Sequence, residues 1–204
     1  MDINNQESRS VSHVLYLHGF LSSPKSVKAQ QTLAWCTEHR PDITLHIPQL
    51  SNYPSEVGEQ LKAYLKNHPQ LLEGGLRAIG SSMGGYLSSW LVEQFGGKAV
   101  LVNPAVRPYE LLIDFVGEHV NPYTREPFSI VKEDMAVLKA LEHEQLAHPE
   151  NYLVLLQTGD ETLDYRQARA RYARSSLVIE HGGDHSFVDY DKHLPAIFEF
   201  LDGH

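Results

Sequence analysis

The amino-acid sequence predicts an α/β fold, with a mostly parallel sheet of about six strands and helices on both faces. Short apolar segments alternate along the 204 residues with longer segments whose apolar residues recur at helical spacing. Several short segments are apolar throughout, a pattern typical of strands that are buried on both faces of a parallel sheet. In such a chain each helix connects two parallel strands by a right-handed crossover.

The predicted strands are residues 13–17, 44–47, 76–79, 99–102, 152–157 and 176–179. Helices are predicted at residues 24–39, 55–67, 87–95, 165–173 and 191–201. In the first of these helices, the expected apolar side consists of Val27, Leu33, Ala34 and Trp35. Residues 1–204 are predicted to form a single domain in which residues 1–10 are flexible.

An interval of about fifty residues separates the fourth predicted strand from the fifth, more than a connection through one helix needs. Pro104, Pro108, Pro122 and Pro127 precede a predicted helix at residues 133–146 in this interval. We interpret residues 104–149 as a cap or lid insertion over the carboxyl end of the sheet, where α/β proteins bind ligands. A longer scaffold helix with loops is the alternative interpretation.

Composition and charge exclude several classes of protein. Hydrophobic residues make up 42% and charged residues 21% of the chain, a balance that supports a core and excludes a disordered or fibrous protein. The net charge of −9 argues against a protein that binds nucleic acid. One cysteine (Cys36), a polar amino-terminal segment and no long apolar run predict a cytoplasmic protein without a signal peptide or membrane span.

The motif Gly80-Ser81-Ser82-Met83-Gly84 matches the G-x-S-x-G pattern between a predicted strand and a predicted helix. In this context the central serine lies on a tight turn with its hydroxyl exposed, and the positions two before and two after it crowd each other and favour glycine. The sequence therefore predicts Ser82 as a nucleophile, with Gly80 and Gly84 as the elbow glycines. A glycine-rich turn that only needs small residues is the structural alternative.

A serine hydroxyl needs a base that accepts its proton and an acid that orients the base, here in the chain order serine, acid, histidine. Among twelve histidines, His185 lies just beyond the last predicted strand and is the predicted base, with His181 of the same loop as the alternative. Asp160 follows the fifth predicted strand directly and is the predicted acid. Glu161 and Asp164 compete for that role, although Asp164 also suits the N-cap of the following helix.

Attack on a carbonyl produces an oxyanion that needs two backbone N–H donors, one after the serine and one from the loop after the first strand. Met83 is the predicted first donor, and Phe20 is the predicted second donor because it follows the first predicted strand. No cofactor or metal is expected for this chemistry. His143 and His148 resemble a zinc motif, but their spacing directs the two rings to different sides of a helix.

With these residues placed, the sequence resembles the α/β-hydrolases, and more closely the YqiA-type bacterial esterases, over nearly all of residues 15–201. The matching stretches are Tyr16-Leu17-His18-Gly19-Phe20 with Ser23-Pro24, Ile47-Pro48-Gln49-Leu50, residues 80–86, residues 103–108, Asn121-Pro122-Tyr123-Thr124 and residues 157–161. The sequence departs from the family pattern at Met83, where leucine is usual, and at Asp184-His185-Ser186, where Asn-His-Ala is more usual. The resemblance implies the strand order 2-1-3-4-5-6 and a Ser82–Asp160–His185 triad that hydrolyses carboxylic esters.

The expected substrate is a small ester with a short to medium acyl chain, and an acyl thioester of the coenzyme A type is the alternative. Residues 104–149 hold four basic and eight acidic residues, which disfavours a strongly anionic substrate, although Arg107 and Arg125 offer local phosphate contacts. The candidates for lining the acyl pocket are Tyr109, Phe115, Val116, Tyr123 and Phe128. A hydrolase-like scaffold that binds an acyl ligand or a protein without turnover is the alternative from another class.

Overall fold

The computed structural model of the chain describes residues 12–203, so the predicted flexibility of residues 1–10 lies outside the described residues. The strands are β1 (Ser12–Leu17), β2 (Ile43–His46), β3 (Leu76–Ser81), β4 (Gly97–Val102), β5 (Gly117–Val120), β6 (Pro127–Ile130), β7 (Tyr152–Gln157) and β8 (Ser176–Glu180). Six of them form one sheet in the order β2-β1-β3-β4-β7-β8, in which all neighbours are parallel. The predicted fold class and strand order are thereby confirmed.

The helices connect these strands and cover both faces of the sheet. They are α1 (Val27–His39), α2 (Val57–Asn67), α3 (Met83–Phe95), α4 (Pro108–Leu112), α5 (Glu133–Lys139), α6 (Tyr165–Arg171) and α7 (Leu194–Asp202). Short 3-10 helices occur at Pro69–Leu72, Ile113–Phe115, Pro149–Asn151 and Tyr190–His193. Within residues 12–203, no helix has the length and apolar character needed to cross a membrane.

The core lies in two layers, one on each face of the six-stranded sheet. Along β1, Leu15 and Leu17 belong to the layer that contains residues of α2, α3 and α6, whereas Val14 and Tyr16 belong to the layer with α1 and α7. All residues of β7 are buried. Burial on both faces explains why the strand sequences are apolar throughout instead of alternating.

Helix α1 packs with a different side from the one that its larger apolar residues predict. The expectation is wrong for three of its four residues, since Val27 is 72% exposed, Leu33 is 40% exposed and Ala34 is exposed as well. The buried residues are Ala29, Thr32 and Cys36. Their small side chains allow the helix to lie close to the sheet, and the hydroxyl of Thr32 is satisfied there by a carbonyl of its own helix at 2.7 Å.

Residues 104–149 lie between β4 and β7 and contain α4, the antiparallel hairpin β5–β6 and α5. The sequence does not predict this hairpin because its strands are short and partly polar. The predicted helix at residues 133–146 is too long, since α5 ends at Lys139, where the Tyr86 hydroxyl donates to the Leu138 carbonyl at 2.6 Å. Leu112 and Leu138 belong to the same core layer as α2 and α3, so the insertion packs against that layer.

The turn of the β5–β6 hairpin is built around Asn121, which is buried. Its Oδ1 accepts hydrogen bonds from the backbone N–H groups of Tyr123 at 2.8 Å and Thr124 at 3.1 Å, an Asx turn. Its Nδ2 donates to the Oδ1 of Asn52 at 2.6 Å, in the loop between β2 and α2. This single amide therefore shapes the hairpin turn and ties the insertion to a loop of the central sheet.

Replacing Asn121 with alanine is expected to lower the free energy of unfolding by about 1–3 kcal/mol, because the partly buried groups at the hairpin turn and on Asn52 lose their partner. Asn52→Ala is the matched control, with a smaller expected loss, because it removes the amide partner and keeps the Asx turn. Urea denaturation of the three proteins measures the difference. An Asn121→Ala protein as stable as the wild type would contradict this role of the amide.

Candidate active site

Ser82 lies between β3 and α3, at the carboxyl edge of the sheet. Its backbone has φ 56° and ψ −121°, a conformation that costs free energy in a residue other than glycine. Its N–H donates to the carbonyl of Val102 at 3.1 Å, and its carbonyl accepts from the N–H of Ala105 at 3.0 Å. Because these partners belong to the end of β4 and the loop after it, the neighbouring strand holds the serine in this conformation.

Gly80 and Gly84 permit a close approach of chain segments around the Ser82 turn. A Cβ on Gly80 would overlap the carbonyl oxygen of Gly84, and a Cβ on Gly84 would overlap the carbonyl oxygen of Leu17 in β1. Neither glycine is among the residues with positive φ, so space and not backbone freedom is what both positions require. Gly84 in particular lets the first turn of α3 lie directly against β1.

The structure brings Ser82, His185 and Asp160 together. The Nε2 of His185 is 3.1 Å from the Oγ of Ser82, and its Nδ1 is 2.8 Å from Oδ2 of Asp160. Oδ1 of Asp160 also accepts from the backbone N–H groups of Thr162 at 2.9 Å and Leu163 at 2.8 Å. The side chain of Asp160 is 2% exposed and that of His185 is 25% exposed. The imidazole thus bridges a buried, fixed carboxylate and a serine hydroxyl.

The competing residues make other contacts. Glu161 accepts the backbone N–H of His185 at 3.0 Å, and donation from its own N–H and that of His185 lowers the pKa of Glu161. Asp164 is the N-cap of α6 and accepts the backbone N–H two residues further on at 3.0 Å. His181 is exposed. Asp160 is therefore the carboxylate that contacts the imidazole ring of His185.

Two buried amides, which sequence reasoning did not single out, hold the loop that carries His185. Asn103 follows β4 with φ 40°; its Oδ1 accepts the N–H of Gln157 at 3.0 Å, and its Nδ2 donates to the carbonyl of Asp184 at 3.0 Å. The side-chain oxygen of Gln157 accepts the N–H groups of Asp184 at 3.2 Å and Val188 at 2.9 Å. These bonds fix β4, β7 and the histidine loop relative to one another. The sequence signal for this role is only an Asn-Pro pair directly after a strand.

Phe20 and Met83 carry backbone N–H groups next to Ser82. Met83 follows the serine and begins α3, and Phe20 follows Gly19, where a Cβ would lie 3.3 Å from the Cβ of Ser82. Within residues 12–203, neither N–H has a backbone acceptor. Both groups are thus free to donate to an oxygen of a bound molecule.

His18 connects the loop after β1 with the loop after β2. Its buried ring accepts the N–H of Leu50 at Nε2, at 3.1 Å, and its Nδ1 lies 2.9 Å from the carbonyl oxygen of Gly19. Burial lowers the pKa of His18 because desolvation disfavours the charged ring. A neutral imidazole with its proton on Nδ1 satisfies both contacts, so His18 shapes the loop that carries the N–H of Phe20.

A cavity of about 310 Å³ opens beside the serine and the histidine. Of the side chains predicted to line an acyl pocket, Tyr123 lies on this cavity and the others lie elsewhere. Phe115 and Phe128 pack edge-on against Phe20, each with ring centroids 6.2 Å apart. The hydroxyl of Tyr109 donates to a glutamate at 2.6 Å. Residues 104–149 therefore contribute to this cavity only through the β5–β6 turn, which carries Tyr123, and not through the other predicted side chains.

Replacing Asn103 with alanine is expected to lower the free energy of unfolding by about 2–4 kcal/mol, because the buried N–H of Gln157 is left unpaired and the positive φ disfavours alanine. The carbonyl of Asp184 loses one donor and keeps the N–H of Phe187 as the other. Asn103→Gly removes the same hydrogen bonds but tolerates the backbone conformation, so its loss should be about 1 kcal/mol smaller. Chemical denaturation of the three proteins provides the comparison. Wild-type stability in both variants would show that the amide does not hold these segments.

Comparison with known proteins places the chain in a family. The model of the uncharacterised protein family UPF0227 matches residues 13–202. Similar solved structures include a protein from Agrobacterium vitis S4, with 18% identity and a TM-score of 0.70 over 95% of this chain and 89% of that chain. Est1E from Butyrivibrio proteoclasticus has 13% identity and a TM-score of 0.69, with 98% and 90% covered. The esterase domain of a Rhodothermus marinus protein has 18% identity and a TM-score of 0.67, with 97% and 88% covered. The chain thus has the α/β-hydrolase fold and belongs to the UPF0227 family, as its resemblance to the YqiA-type esterases predicts.

Proposed function

We propose that the protein is a serine hydrolase that cleaves carboxylic esters with short to medium acyl chains. The observation that carries the proposal is the hydrogen-bonded series of Ser82, His185 and Asp160, with distances of 3.1 and 2.8 Å. A base within hydrogen-bonding distance of a serine, itself oriented by a buried carboxylate, is the arrangement that activates a serine nucleophile. The positive φ of Ser82 at a strand-to-helix turn is also what a nucleophile elbow requires.

In the proposed reaction, the Oγ of Ser82 attacks the ester carbonyl while Nε2 of His185 accepts the hydroxyl proton. The Nδ1–H of His185 donates to Asp160, so the carboxylate holds the ring in place and stabilises the imidazolium. The imidazolium then gives its proton to the alcohol oxygen as the C–O bond breaks, which leaves the acyl group on Ser82. Water attacks the acyl carbon with His185 again as base. The imidazolium then returns a proton to Oγ of Ser82 as the acyl–Oγ bond breaks, which releases the carboxylic acid and restores the serine hydroxyl.

The negative charge that forms on the carbonyl oxygen in both steps is stabilised by the N–H groups of Phe20 and Met83 in this proposal. Met83 lies at the amino end of α3, where the helix dipole is positive. A preorganised donor of this kind contributes about 3–4 kcal/mol to transition-state stabilisation. Both donors are backbone groups, so the side chains of Phe20 and Met83 take no part in this step.

A small ester suits the site better than a coenzyme A thioester. The cavity of about 310 Å³ is at the lower end of the size range of small-molecule pockets. Arg107, a candidate phosphate contact, pairs with Glu110 at 3.4 Å and with Glu142 at 4.0 Å. Arg125 lies at the β5–β6 turn and does not line the cavity.

An intact serine, base and acid also favour turnover over a scaffold that only binds acyl ligands or proteins.

Replacing Ser82 with alanine is expected to lower kcat for 4-nitrophenyl butyrate by about 10⁴-fold or more, because the nucleophile is lost. Asp160→Asn is expected to lower kcat by about 10⁴-fold, because the amide favours the wrong imidazole tautomer. Initial rates with 4-nitrophenyl esters from acetate to decanoate measure both effects, and the wild-type rate should be highest for short to medium chains.

Ser88→Ala is the matched control for Ser82→Ala. The hydroxyl of Ser88 is buried in the same helix, α3, and has no hydrogen-bond partner within the described part of the chain. Its removal is expected to leave turnover and stability unchanged. Wild-type turnover by a folded Ser82→Ala protein would contradict the proposed nucleophile.

A further inference from the structure

Lys28 lines the same cavity as Ser82 and His185. It lies in the first turn of α1 and is only partly exposed. Its ammonium group donates to the backbone carbonyl of Ser186 at 2.8 Å, and Ser186 directly follows the histidine. Among the described residues that line the cavity, Lys28 is the only lysine or arginine. A positive charge is therefore built into the wall of the candidate active site.

The position of this charge is unfavourable for the helix itself. The amino end of a helix favours acidic side chains and a hydrogen-bonded N-cap. The first turn of α1 contains no acidic residue, and Ser26 at the N-cap makes no side-chain cap hydrogen bond. Lys28 adds its charge to the positive end of the helix dipole. Residues that do not suit their own helix in this way are found most often at ligand-binding sites. Here Ser26 and Lys28 both line the cavity.

The ammonium group of Lys28 has two carboxylates in its neighbourhood, those of Asp184 and Asp160, but it is not in contact with either. It makes no ion pair within residues 12–203, and one of its three N–H groups is used by the Ser186 carbonyl. Burial lowers the pKa of Lys28, and the more distant carboxylates of Asp184 and Asp160 oppose this effect. Asp160 already accepts the hydrogen bond of His185. Two N–H groups of Lys28 thus remain for a bound anion.

We propose that Lys28 binds a carboxylate on the alcohol part of the ester and so determines which esters the protein hydrolyses. This inference rests on the proposed function. The alcohol part is assigned because the leaving oxygen must receive its proton from His185, and Lys28 contacts the residue that follows this histidine. A single ammonium group without an arginine matches the single charge of a carboxylate better than the double charge of a phosphate.

The test compares two esters that differ in this charge, the butyryl ester of 4-hydroxybenzoate and the butyryl ester of methyl 4-hydroxybenzoate. The ratio of their kcat/KM values is measured for the wild type, Lys28→Met, Lys28→Arg and Lys25→Met. Intrinsic differences in reactivity cancel when this ratio is compared between proteins. Lys25→Met is the matched control because Lys25 is exposed, does not line the cavity and carries the same charge in the same segment.

Lys28→Met is expected to lower the ratio of charged to neutral ester by about 10-fold or more, because a charge-assisted hydrogen bond is lost. Lys28→Arg should retain part of the preference, and Lys25→Met should leave the ratio unchanged. An unchanged ratio in Lys28→Met would overturn the proposal. An equal loss on both esters would also overturn it, because Lys28 would then only support the histidine loop through the Ser186 carbonyl.

A binding measurement keeps this inference separate from the proposed function. Titration of Ser82→Ala with 4-hydroxybenzoate requires no turnover, and adding Lys28→Met is expected to weaken binding about 10-fold while binding of methyl 4-hydroxybenzoate is unaffected. Equal binding of 4-hydroxybenzoate with and without Lys28 would overturn the carboxylate site. Full esterase activity of Ser82→Ala would instead refute the proposed nucleophile and leave the binding result to decide the role of Lys28.

Discussion

The close contact between α3 and the carboxyl ends of β1 and β3 is the constraint on which the site depends. Gly80 and Gly84 leave no space for a side chain, so the chain must turn sharply between them and Ser82 is held at φ 56°. Two hydrogen bonds, from the Ser82 N–H to the Val102 carbonyl and from the Ala105 N–H to the Ser82 carbonyl, offset the cost of that conformation. The neighbouring strand thus stabilises the strained backbone of Ser82. The position of the serine hydroxyl follows from this packing.

The parallel sheet then brings the other groups to the same edge. Loops that follow parallel strands meet at their carboxyl ends, which is why residues far apart in the chain surround one serine. The loops are further linked by buried polar side chains, His18 between β1 and β2, and Asn103 with Gln157 between β4, β7 and the histidine loop. These hydrogen bonds do not involve the reacting atoms, but they hold in place the loops that carry the proposed catalytic groups.

Much of this arrangement is predictable from the sequence, because strands buried on both faces are apolar throughout and the motif around Ser82 needs a strand before it and a helix after it. The residues predicted as acid and base lie within hydrogen-bonding distance in the structure, while their catalytic roles stay predictions. The buried side of α1 is not predictable, because the Thr32 hydroxyl also lies 2.9 Å from the hydroxyl of Tyr190, a contact that exists only in the folded chain. The β5–β6 hairpin is not predictable because its strands are short and partly polar, and because the amide of Asn121 that ties it to Asn52 contacts a residue distant in sequence.

Activation of the Ser82 hydroxyl by packing and hydrogen bonding is open to a test that needs no knowledge of the substrate. The test is reaction with a fluorophosphonate probe, followed by peptide mass spectrometry. We expect one adduct per chain, located on Ser82, in the wild type and in Lys25→Met. We also expect no adduct in Ser82→Ala and a strongly reduced rate in His185→Ala. A folded wild-type protein that does not react, or that reacts at another serine, would show that Ser82 is not an activated nucleophile.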